Sequence, residues 1–292
     1  MLDSVVRYGT VSRIVATCAV VRPITCLLAA LSAACGGYFT SDPSGLAWDR
    51  GVLSMVCMAG LMGVANAVND IVDFPSDRVS KPQRPIPSGR VAIPTAWSVV
   101  TALAILTVTT AAALGLAEML FAAVLLVLAF AYSYRFKGTV LVGNLIVGVV
   151  SCGTLLFGST ASGRMTLSSC LAAGFILLFV VAYEIVKTLQ DRDADSAVGL
   201  RTLATKYEPG VSVAAYTAVA TILCSAALGV GARVSSEPSS YVVFLVPCLI
   251  APVCSCAYIL RSWPDRDRST ARSLLILRLA WFPGLVSLTL LK

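Results

Sequence analysis

Long uninterrupted apolar runs constrain the fold of this chain more than any other feature. Of its 292 residues, 58% are hydrophobic and only 13% are charged, and the mean hydropathy is +0.86. The apolar residues form runs of roughly 18 to 25, the length that a helix needs to cross a bilayer, whereas membrane barrels show shorter alternating segments. The sequence therefore predicts an all-α, polytopic membrane helix bundle with about nine transmembrane helices.

The predicted spans are separated by charged residues or by Gly and Pro. They lie near residues 14–39, 51–69, 95–116, 119–134, 139–158, 167–187, 210–232, 240–260 and 271–291. The third and fourth are separated only by Gly115 to Glu118, so a count of eight is the alternative. Because Arg13 and Arg22 interrupt the amino-terminal segment, we expect no removable signal peptide. No repeat or linker divides the chain, and we expect a single domain over residues 1–292.

The distribution of Lys and Arg predicts the orientation, because these residues concentrate in cytoplasmic segments. With the amino terminus inside, the inside segments hold 16 of the 22 basic residues and the outside segments hold four. This predicts an integral membrane protein with a cytoplasmic amino terminus, an outside carboxyl terminus and two cytoplasmic Asp-rich loops, at roughly residues 70–94 and 190–209. The net charge of +7 then reflects a basic face against anionic membrane lipid, so no nucleic acid partner is expected.

The absence of histidine restricts the chemistry that the chain can perform. It excludes His-ligated haem, His-based zinc sites and nucleophile pairs that use His. The ten cysteines lie mostly in apolar runs without CxxC spacing, which is typical of small hydrophobic helix residues. Any catalysis must therefore use carboxylates, Lys, Arg, Tyr or a bound ion.

An acidic cluster follows the second predicted span, within residues 66–89. On a helix, Asn69, Asp73 and Asp77 are spaced four apart and lie on one face. Like charges at this spacing repel each other, which favours a bound cation. Pro75 lies inside the cluster and would bend a helix, so the common face is less secure than the spacing suggests.

A second acidic cluster follows the sixth predicted span, within residues 187–203, and there Asp191 and Asp195 repeat the four-residue spacing. Two pairs of carboxylates on one side of a membrane could hold Mg²⁺, which prefers oxygen ligands and is commonly bridged to substrate phosphates. The alternative is that both clusters are solvated loop acids that balance nearby Arg and Lys.

These clusters and two further elements resemble the signature sequences of the UbiA superfamily of intramembrane prenyltransferases. In chain order the elements are Arg22-Pro23, Asn69-Asp70-x-x-Asp73-x-x-x-Asp77 with Lys81-Pro82, Arg84-Pro85 and Pro87-Ser88-Gly89, then Tyr132-Ser133 with Lys137 and Asn144, and finally Asp191-x-x-x-Asp195 with Gly199-Leu200-Arg201-Thr202. The resemblance covers residues from about 22 to 203. It departs from the pattern at Thr188, where many relatives carry an additional acid, so the second metal site is expected to be one ligand short.

The resemblance implies a Mg²⁺-dependent transfer of an isoprenyl group from a prenyl diphosphate, through an allylic carbocation, to an aromatic or other lipophilic acceptor. The implied Mg²⁺ ligands are Asn69, Asp73, Asp77, Asp191 and Asp195, of which the four aspartates are the catalytic residues. The implied substrate-binding residues are Arg22, Asn69, Lys81, Arg84, Tyr132, Lys137 and Lys187. For Lys187, which ends a span, snorkelling to the interface is the alternative. Arg22 interrupts an apolar run, where a charge is costly unless it is paired or faces a cavity.

Several alternatives share the same residues. A terpene cyclase would use the same metal motifs without an acceptor, and a transporter would carry its acids inside the spans rather than in loops. Aromatic residues of the sixth span, Phe175, Phe179 and Tyr183, are candidates for lining a dry cavity for the prenyl tail, although ordinary packing explains them as well. No residue selects between an aromatic acid, a quinone precursor, an isoprenoid glycerol phosphate and a specialised metabolite as acceptor. Neither prenyl length nor oligomeric state can be predicted.

Overall fold

Helices make up all the regular structure in the described part of the chain. The computed structural model describes residues 10–40, 48–261 and 266–291, and Arg7 and Lys292 from the charge count lie outside these ranges. The helices are α1 (Thr10–Val21), α2 (Pro23–Thr40), α3 (Trp48–Val72), α4 (Phe74–Ser80), α5 (Ile93–Leu114), α6 (Leu116–Ala131, continued by a π turn at Tyr132–Phe136), α7 (Val142–Ala161), α8 (Leu167–Gln190), α9 (Arg192–Ala197), α10 (Leu203–Lys206), α11 (Pro209–Ala226, continued by a π turn at Ala227–Gly231), α12 (Ala232–Val234), α13 (Pro238–Arg261) and α14 (Arg266–Thr289).

Nine of the helical segments in the described ranges are long and apolar enough to cross a membrane, which confirms the predicted count. They are α2, α3, α5, α6, α7, α8, α11, α13 and α14, with α6 and α11 including their π turns. The third and fourth spans are separated by a single residue, Gly115, with φ of +150°. Only glycine adopts such a backbone conformation readily, so the two apolar stretches form separate helices.

The predicted first span, residues 14–39, is wrong in one respect, because it is divided into two helices at Arg22. Pro23 has no backbone N–H to donate and disfavours the helical conformation of the residue before it. Arg22 takes a left-handed conformation with φ of +56°. Since α1 has only 12 residues, it is too short to cross a bilayer, and α2 alone is the first span.

Close backbone contact between α2 and α7 depends on two glycines. A Cβ atom added at Gly36 would collide with the carbonyl group of Leu155, and one added at Gly158 would collide with the backbone of Ala33. Small residues permit this approach in many membrane helix pairs. The contact joins α2 and α3 to α7 and α8, which also pack against each other.

The ends of several helices meet at one end of the bundle and position the polar residues. These are the break between α1 and α2, the junction of α3 with α4, the π turn after α6 and the junction of α8 with α9. Elsewhere on the spans, large apolar side chains such as Ile24 and Val243 remain exposed. We expect lipid to cover these outer faces, because apolar surface on a membrane-spanning helix faces hydrocarbon.

Candidate active site

A polar cleft of about 680 Å³ lies where these helix ends meet. All eleven residues that the sequence predicts for catalysis, metal binding or substrate binding line it. They are Arg22, Asn69, Asp73, Asp77, Lys81, Arg84, Tyr132, Lys137, Lys187, Asp191 and Asp195. Residues of both acidic clusters therefore share one cleft, although Lys81 and Asp191 are 110 residues apart in the chain.

The first cluster keeps its three predicted ligands on one face despite Pro75. α3 ends just before Asp73 and α4 begins just after it, but the helical hydrogen bonds continue, from Asp73 N to Asn69 O at 2.9 Å and from Asp77 N to Asp73 O at 2.8 Å. Pro75 lies in the first turn of α4, where proline is tolerated. The Asn69 amide also donates a hydrogen bond of 2.8 Å to the Asp73 carboxylate.

Basic residues from three parts of the chain pair with the carboxylates of the first cluster. Arg22 pairs with Asp70, and Arg84 pairs with Asp77 while lying 3.6 Å from Asp70. Asp73 pairs with Lys137, which follows the π turn after α6. The three aspartates are buried, and the cations satisfy charges that would otherwise be costly at that depth.

The second cluster begins where α8 ends. Asp191 is the last residue before α9, and Asp195 N donates to Asp191 O at 2.8 Å, so both carboxylates lie on the same side of α9. Lys81 Nζ forms an ion pair of 2.9 Å with Asp191. This pair links the first cluster directly to the second.

The last turns of α8 contribute three residues to the cleft lining, Glu184, Lys187 and Thr188. Lys187 Nζ lies 3.0 Å from both carboxylate oxygens of Glu184, which is buried within the sixth span. Thr188 also lines the cleft, and its hydroxyl donates to the Ile185 carbonyl oxygen at 2.9 Å. Lys187 is therefore held in the cleft by a carboxylate rather than extended to the interface.

The π turn after α6 directs two predicted substrate-binding residues into the cleft. Lys137 N donates to Tyr132 O at 2.8 Å, a bond one residue longer than in an α-helix. The wider turn changes the direction of the side chains that follow it. Tyr132 and Lys137 consequently both line the cleft, beside Asn144 of α7.

Burial raises the pKa of two motif carboxyl groups. At Asp77 burial outweighs the opposing effect of Arg84. The pKa of Asp195 is raised to about 6, first by burial and then by the Asp191 carboxylate. At Arg84 burial acts to lower the pKa, but Asp77 and Asp70 together raise it. The carboxylates are thus crowded, and a bound cation would relieve the crowding.

The donor set of the cleft fits a magnesium diphosphate. Asn69 Oδ1 and Asn144 Nδ2 are buried and have no hydrogen-bond partner, and an amide oxygen suits a cation whereas an amide N–H suits an anion. Within the described ranges, no three acidic or Cys side chains are grouped closely enough to bind a metal alone. An ion here would share its ligands with phosphate oxygens and water, which is the usual arrangement for Mg²⁺.

A separate apolar cavity of about 430 Å³ lies between α8, α11, α13 and α14. Phe175 and Phe179 line it, together with Trp281, whose ring centroid lies 5.2 Å from that of Phe179. Tyr183 is not among the lining residues, and its hydroxyl oxygen accepts a hydrogen bond from Arg278. The cavity shares no lining residue with the polar cleft.

Sequence comparison decides the family. The model of the UbiA prenyltransferase family matches residues 29–280. The chain belongs to this family. The match extends across most of the chain and includes both acidic clusters, so the resemblance seen in the motifs is confirmed.

Individual UbiA relatives agree with this assignment. Digeranylgeranylglyceryl phosphate synthase from Methanopyrus kandleri is 35% identical over 209 residues, covering 69% of this chain and 73% of the relative. The solved structure of a UbiA homolog from Aeropyrum pernix K1 has a TM-score of 0.74 at 20% identity, covering 91% of this chain and 98% of that one. A UbiA homolog from Archaeoglobus fulgidus bound to GPP and Mg²⁺ has a TM-score of 0.70 at 17% identity, covering 94% and 99%. The two structures show that the fold is shared.

Sequence reasoning assigned no role in the site to several buried polar residues of this UbiA cleft or its immediate surroundings. Asp70 was visible between the motif residues, and Glu184 was visible as an acid in an apolar run followed by Lys187, but neither was assigned to the site. Asn144 was noticed only as part of the resemblance. Ser133 is buried next to Tyr132 with an unpartnered hydroxyl oxygen. Their burial, which carried no separate sequence signal, distinguishes them from ordinary polar residues.

Proposed function

We propose that this UbiA-family chain transfers an isoprenyl group from a prenyl diphosphate to a glyceryl phosphate that already carries one isoprenoid chain. One observation supports the transfer above all others: two aspartate motifs and a set of basic side chains surround a single cleft at the ends of membrane-spanning helices. A diphosphate attached to an apolar tail requires this combination of a polar site beside apolar helices.

Carboxylate and amide oxygens would bind the metal. In this proposal Asn69, Asp73 and Asp77 bind one Mg²⁺, and Asp191 and Asp195 bind a second, each ion completing its shell with phosphate oxygens and water. Magnesium, when bound, would offset the negative charge that develops on the diphosphate as its bond to carbon breaks. The unpartnered Asn69 Oδ1 supports the first of these sites.

Basic and N–H groups would bind the diphosphate itself. Lys81, Arg84 and Lys137 line the cleft and are each held beside a motif carboxylate, so they are positioned around the same space as the metal ligands. The proposal also assigns diphosphate contacts to Arg22, Lys187 and Tyr132. Preorganised donors of this kind stabilise the leaving group without reorganising during the reaction.

The proposed transfer breaks the allylic carbon–oxygen bond of the donor, and its electron pair leaves with the diphosphate. An oxygen atom of an acceptor hydroxyl then forms a bond to the same carbon, and the hydroxyl proton is taken up by the diphosphate. Water must be kept away from the allylic carbocation, and the apolar spans beside the cleft supply this exclusion.

The relatives support one acceptor class for this proposal. The name of the Methanopyrus kandleri enzyme describes a product with two geranylgeranyl groups on a glyceryl phosphate. A synthase of that product adds the second group to a glyceryl phosphate that bears the first. We therefore propose an isoprenoid glyceryl phosphate here, whereas the preference for an aromatic acceptor stays a prediction without support from these relatives.

Purified protein incubated with radiolabelled geranylgeranyl diphosphate, Mg²⁺ and geranylgeranylglyceryl phosphate tests the proposal. We expect a doubly prenylated glyceryl phosphate that forms only with Mg²⁺ and disappears with a chelator. A cyclised hydrocarbon or alcohol formed without acceptor would assign the chain to the cyclases instead. Prenylation of an aromatic acid in preference to the glyceryl phosphate would contradict the acceptor class while retaining the transfer reaction.

A further inference from the structure

An arginine lies deep within the ninth span, apart from the polar cleft. Arg278 belongs to α14 and is nine residues from Ser269, where the apolar part of that helix begins. At 1.5 Å per residue, this places it about 13 Å along the span. Its side chain is exposed. A charge at such a depth is costly unless it faces a cavity or a partner, so intramembrane arginines often mark functional sites.

The contacts of Arg278 hold its guanidinium without neutralising it. Nε donates to Tyr183 Oη at 2.8 Å, and the guanidinium carbon lies 5.9 Å from the centroid of the Tyr183 ring. Among the described residues, no carboxylate forms an ion pair with Arg278. The positive charge is therefore oriented by a neutral aromatic side chain and is able to bind an anion.

Arg278 lies on the membrane side of the polar cleft. Its partner Tyr183 precedes Lys187 by four residues on α8, which is about 6 Å along the helix axis. Lys187 and Glu184 line the cleft, whereas Tyr183 does not. A second substrate bound at Arg278 would therefore have its headgroup next to the proposed diphosphate site, where the acceptor hydroxyl must lie to react.

The apolar cavity continues from this arginine along the same pair of helices. Trp281 is three residues after Arg278 on α14, and Phe179 is four residues before Tyr183 on α8. The edge-to-face contact of Trp281 with Phe179 therefore forms the next layer of the contact between α8 and α14. The cavity walls are almost wholly apolar, but the buried Trp281 Nε1–H has no hydrogen-bond partner. Along the contact between α8 and α14, the positive charge of Arg278 is thus followed by an apolar cavity with one unpaired donor, Trp281 Nε1–H.

We propose that this seam between α8 and α14 is the acceptor site, with the phosphate on Arg278 and the isoprenoid chain in the apolar cavity. The inference rests on the proposed function, because it takes the acceptor to be an isoprenoid glyceryl phosphate. Arginine suits this role because its planar guanidinium binds phosphate through two parallel hydrogen bonds. Tyr183 acts as a positioning residue that fixes the guanidinium plane.

Steady-state kinetics of Arg278→Gln test the site. With geranylgeranyl diphosphate saturating, we expect the KM for geranylgeranylglyceryl phosphate to rise at least tenfold, the loss typical of charge-assisted hydrogen bonds. The KM for geranylgeranyl diphosphate should stay unchanged. Arg278→Lys should recover part of the loss, and Arg278→Leu, which suits a lipid-facing position, should match the Gln variant. The corresponding acceptor lacking its phosphate should be used equally poorly by wild type and Arg278→Gln.

A matched control is available on the same helix. Arg272 donates a hydrogen bond of 2.7 Å to Tyr258 Oη, and its guanidinium carbon lies 5.8 Å from the centroid of that ring. This tyrosine belongs to α13 rather than to α8. Arg272→Gln should leave both KM values unchanged. An unchanged acceptor KM in Arg278→Gln and Arg278→Leu would overturn the site while leaving the proposed function intact. Failure of wild type to use any glyceryl phosphate acceptor would instead refute the proposed function.

Discussion

At the residue scale, pairing of acids with basic side chains governs the cleft. Asp73 is paired with Lys137 and Asp191 with Lys81, and all four side chains are partly or wholly buried. Ion pairs at such positions gain little net free energy from attraction, because desolvation of both charges offsets it. Their arrangement is better explained by function: carboxylates for metal and cations for phosphate are held within one space.

Removal of either motif carboxylate should abolish activity. We expect Asp73→Ala and Asp191→Ala each to lose turnover, because the Mg²⁺ that one motif alone would hold cannot offset the charge of the diphosphate and the charge that develops on it. The remaining lysine can turn towards the open cleft, so both variants should stay folded, as thermal melting in detergent would show. Asp193→Ala is the matched control, since Asp193 lies between the motif residues but is exposed and outside the cleft lining. Full turnover in a folded Asp73→Ala or Asp191→Ala protein would refute the metal assignment.

A substitution at Thr188 tests the second metal site through a gain in apparent Mg²⁺ affinity rather than a loss of activity. It lines the cleft one turn before Asp191, so Thr188→Asp adds a carboxylate close to that site. The half-saturating Mg²⁺ concentration, measured at saturating prenyl diphosphate, should fall modestly, because the added charge also opposes the diphosphate. Thr188→Asn controls for side-chain size. Equal Mg²⁺ dependence in wild type and Thr188→Asp would show that no ion binds beside Thr188.

The raised pKa of Asp195 predicts a pH effect on metal binding. With a pKa of about 6, this carboxyl is mostly ionised at pH 7 and mostly protonated below pH 6. Only the ionised form binds Mg²⁺, so the half-saturating Mg²⁺ concentration should rise as the pH falls through about 6 and level off above about 7. Titrations of Mg²⁺ at pH values between 5 and 8 measure this. A half-saturating concentration that changes only below pH 5 would contradict it, because unperturbed carboxyl groups titrate there.

At the element scale, hydropathy predicts the spans but not their breaks. The nine apolar runs correspond to the nine spans found among the described residues, because crossing a bilayer requires the same helix length and apolar composition whatever the neighbouring helices. The break at Arg22 was missed, since the apolar run continues on both sides of it and hydropathy does not register backbone conformation. The dipeptide Arg22-Pro23 carried the only signal, through the effect of proline on the residue before it.

Packing of α2 on α7 provides a prediction about stability. Gly158→Ala places a methyl group against the backbone of Ala33, which cannot move without separating the helices. We expect a loss of about 1–3 kcal/mol in stability, the usual cost of overpacking, seen as a lower melting temperature in detergent. Gly174→Ala is the control, because a Cβ atom there has no neighbour within 4 Å. It should be neutral or slightly stabilising, because alanine has the higher helix propensity. An equal loss in both variants would show that the contact with Ala33 is not the cause.

At the scale of the whole molecule, the cleft identifies one end of the bundle but not the side of the membrane. We propose that this end is cytoplasmic, since the inside segments hold 16 of the 22 basic residues. Reporter fusions truncated after residue 85 should be active in the cytoplasm, and a fusion at residue 292 should be active outside. An outside location of residue 85 would reverse the orientation.

The composition of the candidate site could be predicted from sequence, but its internal pairing could not. All eleven residues that spacing and resemblance predicted do line the cleft, because the motif residue types recur with the chemistry. The pairing of Lys81 with Asp191 depends on the packing of α2 and α7, which positions α3 and α8. No local sequence pattern encodes this packing. The same long-range pair joins both halves of the chain, and we propose that residues 1–292 form one domain.

The Lys81–Asp191 pair also has a consequence for biosynthesis. Because the partners are 110 residues apart, a ribosome adding about 5–20 residues per second completes Lys81 roughly 5–20 seconds before Asp191. During that interval the counter-ions of Asp70 and Asp77, Arg22 and Arg84, have already been synthesised, while Asp73 must wait for Lys137. The counter-ions of these acids thus become available in the order of translation, and the ion pair between the two clusters cannot form until the sixth span has been synthesised.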